Sequence, residues 1–418
     1  MTRVSPLRLA AALAVAGAAG LPAGPARADD PPELEWTFEL TYDGDRRRNL
    51  QAGGDDHLSK LVPQLTVEVE QELADDITGH LELELGHDRI LDRGAQRDDG
   101  HETVLDLKQI FVEFENFRPG LTLLVGRQDF KDDRKWYFDE ELDGIRLIHE
   151  RGALSLDASV TRELLFRKNL LESRPDDEDA INNYFLKAGY EVAEDHDLSA
   201  YALIRDGMSG VDEELIFYGL SAQGQLADSL TYWGEFAHLR GRDGDNRLNG
   251  WGVDLGATWR FQAAWQPSLT IAYAMGTGDD GGGRDSRFRQ SGLEGNEARF
   301  NGVEDFLYYG EALNPELSNI RVLTAGIGIR PTENSSIDLV AHSYRQDVAE
   351  DGRLPGAAMR AEANGNSRDI GTGIDLIFGY REIEDVALGL RLGWFRPGDA
   401  FDGDRTMFSI KAGLDFDF

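Results

Sequence analysis

The 418-residue chain contains no cysteine. No disulfide framework and no thiolate metal site can hold it, so the fold must close through backbone pairing and packing. Basic residues are also scarce, 43 Lys and Arg against 77 Asp and Glu, a formal charge of −34. Such a surface is a poor partner for nucleic acid or for an anionic lipid surface. Long apolar runs are missing except for Leu9 to Leu21, thirteen residues rich in Ala and Gly. A helix needs roughly 20 apolar residues to cross a bilayer, so helical insertion is excluded. Arg3 and Arg8 precede that run and Ala26-Arg27-Ala28 follows it. This is the grammar of a cleaved signal peptide over residues 1–28, with residues 29–418 left as one domain. Loss of Arg3, Arg8 and Arg27 leaves 40 basic and 77 acidic residues, about −37.

What the chain has instead is alternation. Leu65, Val67 and Val69 alternate with Thr66, Glu68 and Glu70, and Leu81, Leu83 and Leu85 with Glu82, Glu84 and Gly86. Val253, Leu255, Ala257 and Trp259, and then Leu388, Leu390, Leu392 and Trp394, repeat the pattern. A period of two means strand, with one apolar and one polar face. Carboxylates and guanidinium groups on the polar face could not enter a dry sandwich core unpaired, but they can face a water-filled lumen. The pattern places eighteen strands, near 34–43, 58–73, 76–89, 102–116, 120–129, 142–150, 153–165, 180–193, 196–206, 212–226, 229–242, 247–262, 266–276, 319–331, 335–347, 368–382, 385–397 and 403–418. Tight breaks such as Ala74-Asp75, Arg151-Gly152 and Glu194-Asp195 alternate with generally longer polar loops, among them 277–318 and 348–367. Short turns on one side and long loops on the other define an all-β, transmembrane, antiparallel up-and-down β-barrel in the outer membrane of a Gram-negative cell. A soluble β-sandwich would need Greek-key crossovers where this chain shows neighbouring hairpins. In the last strand Phe408, Ile410, Leu414, Phe416 and the terminal Phe418 share one parity. This ending resembles the signal read by the outer-membrane barrel insertion machinery.

One stretch is more specific: Val125-Gly126-Arg127-Gln128-Asp129-Phe130, then Lys131-Asp132-Asp133-Arg134-Lys135-Trp136-Tyr137-Phe138-Asp139, then Leu142-Asp143-Gly144-Ile145-Arg146-Leu147. It resembles the alginate-export porin family of Gram-negative outer membranes. The resemblance implies a monomeric eighteen-stranded barrel with a narrow, Arg-lined constriction that passes an acidic polysaccharide. It also implies a passive pore, neither an enzyme nor a cofactor protein.

Parity nominates the basic residues that face the lumen. Arg146 lies between Ile145 and Leu147, Arg260 between Trp259 and Phe261, and Arg391 between Leu390 and Leu392. Arg405 and Lys411 oppose the outward Phe408, Ile410 and Leu414. Arg127 shares parity with Leu123 and Val125, so it enters the set from the family motif and requires a bulge or a strand end above the membrane. Asp139 and Asp143 are expected to orient Arg127 or Arg146 by ion pairing. A guanidinium can hold a carboxylate through two parallel hydrogen bonds, which suits a polyuronate. Glu68, Glu70, Glu72, Glu82 and Glu84 also face inward, and they fit a cation-preferring general porin for small solutes or ions equally well. The Gly- and Asp-rich run from Gly278 to Asp285 lacks an EF-hand ligand register and reads as a solvated loop, so no metal is expected. An outer-membrane hydrolase needs a serine beside a histidine, and no motif joins one to any of the scattered histidines. A gated receptor would carry a plug domain ahead of its first strand, whereas strands here begin just after the leader.

Overall fold

A computed structural model of the chain describes residues 32–50, 55–95, 97, 100–162, 168–171, 181–207 and 213–418. The expected leader, residues 1–28, lies outside them. Eighteen strands form one closed antiparallel sheet. They are β1 (Glu33–Arg46), β2 (Leu58–Ala74), β3 (Ile77–Arg93), β4 (Glu102–Arg118), β5 (Leu121–Lys131), β6 (Asp139–Arg151), β7 (Leu154–Arg162), β8 (Ile181–Ala193) and β9 (His196–Gly207). The circuit continues through β10 (Glu213–Ala227), β11 (Leu230–Asp243), β12 (Asn246–Arg260), β13 (Ser268–Gly276), β16 (Ile320–Thr332), β17 (Ser335–Gln346), β20 (Asp369–Ile383), β21 (Val386–Pro397) and β22 (Met407–Asp417). Two small ribbons, β14 (Glu297–Ala298) with β15 (Phe306–Leu307) and β18 (Asp351–Gly352) with β19 (Ala363–Asn364), sit in the two longest loops. All eighteen expected strands are present. Their largest displacements are four residues: β3 runs on to Arg93 instead of residue 89, and the last strand starts at Met407 instead of residue 403.

The barrel closes where β1 meets β22, with Phe38 opposite Phe416 and Tyr42 opposite Ala412. The terminal Phe418 exchanges backbone hydrogen bonds with Trp36 (3.2 and 3.0 Å), and their rings stack at 4.1 Å. The C-terminal aromatic thus seals the seam of the sheet. Asp76, Asp195 and Asp385 take φ near +60° in the tight turns, the single left-handed position of a hairpin closed beside a bulge, and the register slips next to each of these turns.

Alternation decides which face meets lipid. Leu186, Leu220, Leu255, Ile271, Leu323 and Ile327 each leave more than half of their surface uncovered, all on the outward parity. A continuous belt of this kind is untenable in water and is what a bilayer covers. Among the described residues no helix is long and apolar enough to cross a membrane, so the strands do the crossing.

Candidate functional site

The connection between β13 and β16, residues 277–319, turns into the lumen, while its Gly281–Gly283 tip stays exposed as the sequence suggested. Leu313 and Leu317 are fully buried and Phe306 nearly so, giving the loop an apolar core of its own. Its contacts with the wall include four hydrogen bonds. Tyr309 Oη donates to Asp254 Oδ2 on β12 (2.8 Å), and the Val303 amide donates to Ser336 Oγ on β17 (2.9 Å). The Glu311 amide donates to Asp375 on β20 (3.2 Å), and its carbonyl accepts from Ser409 on β22 (3.0 Å).

A second, shorter connection, residues 132–138, folds inward beside it. The Asp132 carboxylate accepts backbone N–H groups from Arg134, Trp136, Tyr137 and Phe138 at 3.0–3.3 Å, which winds the segment into a compact turn. Burial raises the Asp132 carboxyl above its ordinary range, and these bonds oppose that rise. Trp136 Nε1 donates to Tyr309 Oη (3.0 Å), so the two inner loops are joined. The Arg134 guanidinium lies between the rings of Trp233 and Tyr308, 4.2 and 4.3 Å from their centroids. Tyr137 stacks on Tyr201 at 4.2 Å, and Tyr201 in turn lies flat across Gly219, where a Cβ would sit 1.9 Å from the ring. Only glycine permits that approach.

Arg391 and Arg146 both point into the lumen, and both are engaged. Arg391 meets Glu297 (2.6 Å), Glu304 (3.6 Å) and Glu311 (3.8 Å), all from the long inner loop. Glu297 also reaches Lys135 (3.1 Å), so one carboxylate fastens the long loop to both the wall and the shorter loop. Burial opposes its ionisation, but Arg391 and Lys135 outweigh burial and hold Glu297 below the usual range. Burial pushes Glu311 up to about 7 against the pull of Arg391. Arg146 is held by Asp157 on β7 (2.7 Å), and its guanidinium covers the Phe130 ring at 4.9 Å. Lys411 is exposed to the lumen, directly across from Arg391 and Asp43 in the sheet register. Arg260 keeps the inward parity but sits at the tight-turn end of β12, where Nη2 donates to the Asp228 carbonyl (3.4 Å). That makes it a residue of the mouth.

Three placements differ from expectation. Arg127 faces the outer side of the wall, as its parity with Leu123 and Val125 dictates. It pairs there with Asp143 through two hydrogen bonds (2.9 and 2.8 Å), each side chain 3% exposed. The upper half of β4 has left β5 at this point to pair with residues 168–171, and Arg127 Nη1 donates to the Leu107 carbonyl (3.1 Å). Arg405 lies ahead of β22 in an exposed loop, so strand parity does not apply to it, and its amide donates to the Leu50 carbonyl (3.3 Å). Asp139 orients neither arginine; it stands 3.6 Å from Lys135.

Sequence reasoning overlooked two groups. Lys187 on β8 faces the lumen and, among the described residues, has no carboxylate within 4.0 Å. Its cross-strand partner Asp157 is committed to Arg146. A parity reading of β8 between the outward Leu186 and Ala188 could have found it. The second group is a chain of hydrogen bonds from Thr324 Oγ1 to His342 Nδ1 (3.0 Å) and from His342 Nε2 to Asp375 Oδ2 (2.9 Å). The order resembles a hydrolase triad, but the three residues are sealed under the long loop, with His342 3% exposed, and Asp375 also receives the Glu311 amide. Its role here is to dock the loop. The residues lie on three different strands, so no local motif announced it.

The opposite wall, β1 to β4, remains open. Glu35, Glu68 and Glu82 lie side by side in the sheet register, with Glu33, Glu70 and His80 around the same recess.

Residues 32–410 match the sequence model of a family described as alginate export. The chain is 24% identical over 381 residues to the alginate production protein AlgE of Pseudomonas aeruginosa, covering 78% of this chain and 77% of that protein. Its fold is similar to the outer membrane protein OprD of Pseudomonas aeruginosa (TM-score 0.58, 14% identity, 94% of this chain and 95% of that one). It is also similar to OccAB2 of Acinetobacter baumannii (TM-score 0.61, 11% identity, 93% of this chain and 98% of that one). With the family match spanning the barrel almost from its first strand to its last, the chain belongs to the alginate-export family.

Proposed function

We propose that the chain is a monomeric, passive outer-membrane pore that exports an anionic polysaccharide of the alginate type, and that it is not an enzyme. The match of residues 32–410 to the alginate-export family carries this reading. The closed sheet and the inner loops that narrow its lumen support it. In this reading a polyuronate passes between the inner loops and the open wall, touching Lys411, Lys187 and the engaged guanidinium groups of Arg146 and Arg391. Weak, repeated contacts suit a conduit, which must let its cargo leave as readily as enter. The leader over residues 1–28 delivers the chain, and a terminal Phe418 suits the insertion machinery.

The second reading, a cation-preferring general porin, is favoured by the glutamate row on β2 and β3 and by the acids that already occupy Arg146 and Arg391. Planar-bilayer recordings separate the two. Export predicts that oligomannuronate blocks the current and that Lys187→Gln with Lys411→Gln weakens the block, while Glu68→Gln with Glu82→Gln strengthens it. A pore that prefers cations and ignores oligomannuronate would leave the porin reading in place.

A further inference from the structure

The overall charge of −34 argues against anionic lipid, but basic residues are not spread evenly over the outer wall. Arg321 and Arg345 are exact cross-strand neighbours, the second residue of β16 and the next to last of β17, both exposed on the outward parity. Like charges facing each other across a sheet are unfavourable. Asp347 accepts from Arg321 (2.5 Å), and Arg368 stands 3.6 Å from the same carboxylate oxygen. Two guanidinium groups, those of Arg321 and Arg368, therefore meet one carboxylate, and among the described residues Arg345 has none within 4.0 Å.

The arrangement recurs on β11 and β12. Arg242 is opposite Arg247 in register, and Arg240 lies one outward position below Arg242. All three are exposed, and among the described residues Glu214 on β10 reaches only Arg242, at 3.9 Å. Both clusters stand at the long-loop ends of their strands, above the apolar belt of Phe236, Trp251, Leu323 and Leu339, with Leu323 the next outward residue after Arg321. β13 lies between them and presents Tyr273 outward.

We infer that the outer face of β11 to β17, at its extracellular end, binds the phosphate groups of a phosphorylated glycolipid in the outer leaflet. Its acyl chains lie along the apolar belt, and its phosphates meet the two arginine clusters. Guanidinium forks match phosphate oxygens with paired hydrogen bonds. Basic pockets beside a membrane surface recruit anionic head groups in the same way. The height of the clusters selects the occupant: a soluble anion would gain nothing from the belt below, whereas a lipid engages both. The site relieves the like-charge pairs Arg321–Arg345 and Arg242–Arg247 by adding anion beyond what Asp347 and Glu214 supply there.

The full-length barrel in detergent micelles is titrated with bisphosphorylated lipid A, with dephosphorylated lipid A and with inorganic phosphate, following tryptophan fluorescence. The bisphosphorylated lipid is expected to bind at least about tenfold more tightly than the dephosphorylated one, the scale of one charge-assisted hydrogen bond. Arg321→Gln with Arg345→Gln, and separately Arg240→Gln with Arg247→Gln, should each erase most of that difference. Arg353→Gln, in an exposed loop away from the belt, should leave it intact. Arg345→Gln alone disturbs no ion pair and guards against loss of folding, which heat-modifiable migration on a gel reports. Equal affinity for the two lipids, unchanged affinity in both double variants, or binding of inorganic phosphate without the lipid overturns the assignment.

Discussion

The two halves of the lumen are built by opposite rules. From β5 round to β21 the interior resembles a protein core: Trp136, Phe288, Phe306, Leu313 and Tyr344 are nearly or fully buried, and charges among them such as Arg391 and Asp132 are paired or hydrogen-bonded. From β1 to β4 the interior is a wall of partly exposed glutamates facing one another across the sheet. Like charges at that spacing persist only where water screens them. In the proposed reading the passage borders the glutamate side, and the loop-filled side sets its width.

The largest expected effect comes from removing that difference. The amide of Asn319 donates to the carbonyl of Thr277 (3.2 Å), so the long inner loop leaves and returns at one point. Replacing residues 279–317 with a short Gly-Ser linker should leave the eighteen-stranded wall closed and raise single-channel conductance severalfold. An unchanged conductance in a heat-modifiable barrel would mean the loop does not limit the passage.

A smaller effect separates the faces of one strand. Leu255 faces lipid, and Leu255→Arg should cost about 2–4 kcal/mol, while Leu255→Ala should cost little. Its neighbour Gly256 faces inward under Trp233, where a Cβ would stand 2.0 Å from the indole. Gly256→Ala should therefore cost about 1–3 kcal/mol by overpacking. Urea unfolding in lipid vesicles measures both. Alanine tolerated equally at the two sites would dissolve the distinction between a lipid-facing wall and a packed interior.

The wall was legible in the sequence and the interior was not, for a physical reason. Strand alternation is a local signal, which is why all eighteen strands and the tight turns could be placed and why Arg146, Arg391 and Lys411 face the lumen. What fills the lumen depends on contacts between distant segments: Glu297 with Arg391, Trp136 with Tyr309, and Thr324 with His342 and Asp375. No period in the chain encodes them. The same limit explains Arg127 and Asp143. The motif correctly marked two residues that belong together, but only the departure of β4 from β5 at that level shows that they lock the outer side of the wall. Arg405 failed for a simpler reason, because its strand begins two residues after it.

The smallest effect concerns how firmly the loop-filled half holds together as pH changes. Burial, with Glu316 nearby, pushes Glu294 up to about 7, and burial does the same to Glu311 against Arg391. A carboxyl whose folded value lies above its ordinary 4.5 favours the packed loop when protonated. That contribution is complete below about 4.5 and is lost as pH rises through about 7. Open-channel noise should therefore increase between about pH 5 and about pH 8, and protease cleavage of the long loop should become faster. Glu294→Gln should flatten much of this dependence without altering conductance, because among the described residues Glu294 bonds only within its own loop, to Ser291 and the Gly292 amide. Glu311→Gln should act in the same direction but less cleanly, since it also removes one of the three acids around Arg391. A loop that loosens on acidification instead would show that the ionised carboxylates hold it, and the two halves of the lumen would then obey the same rule.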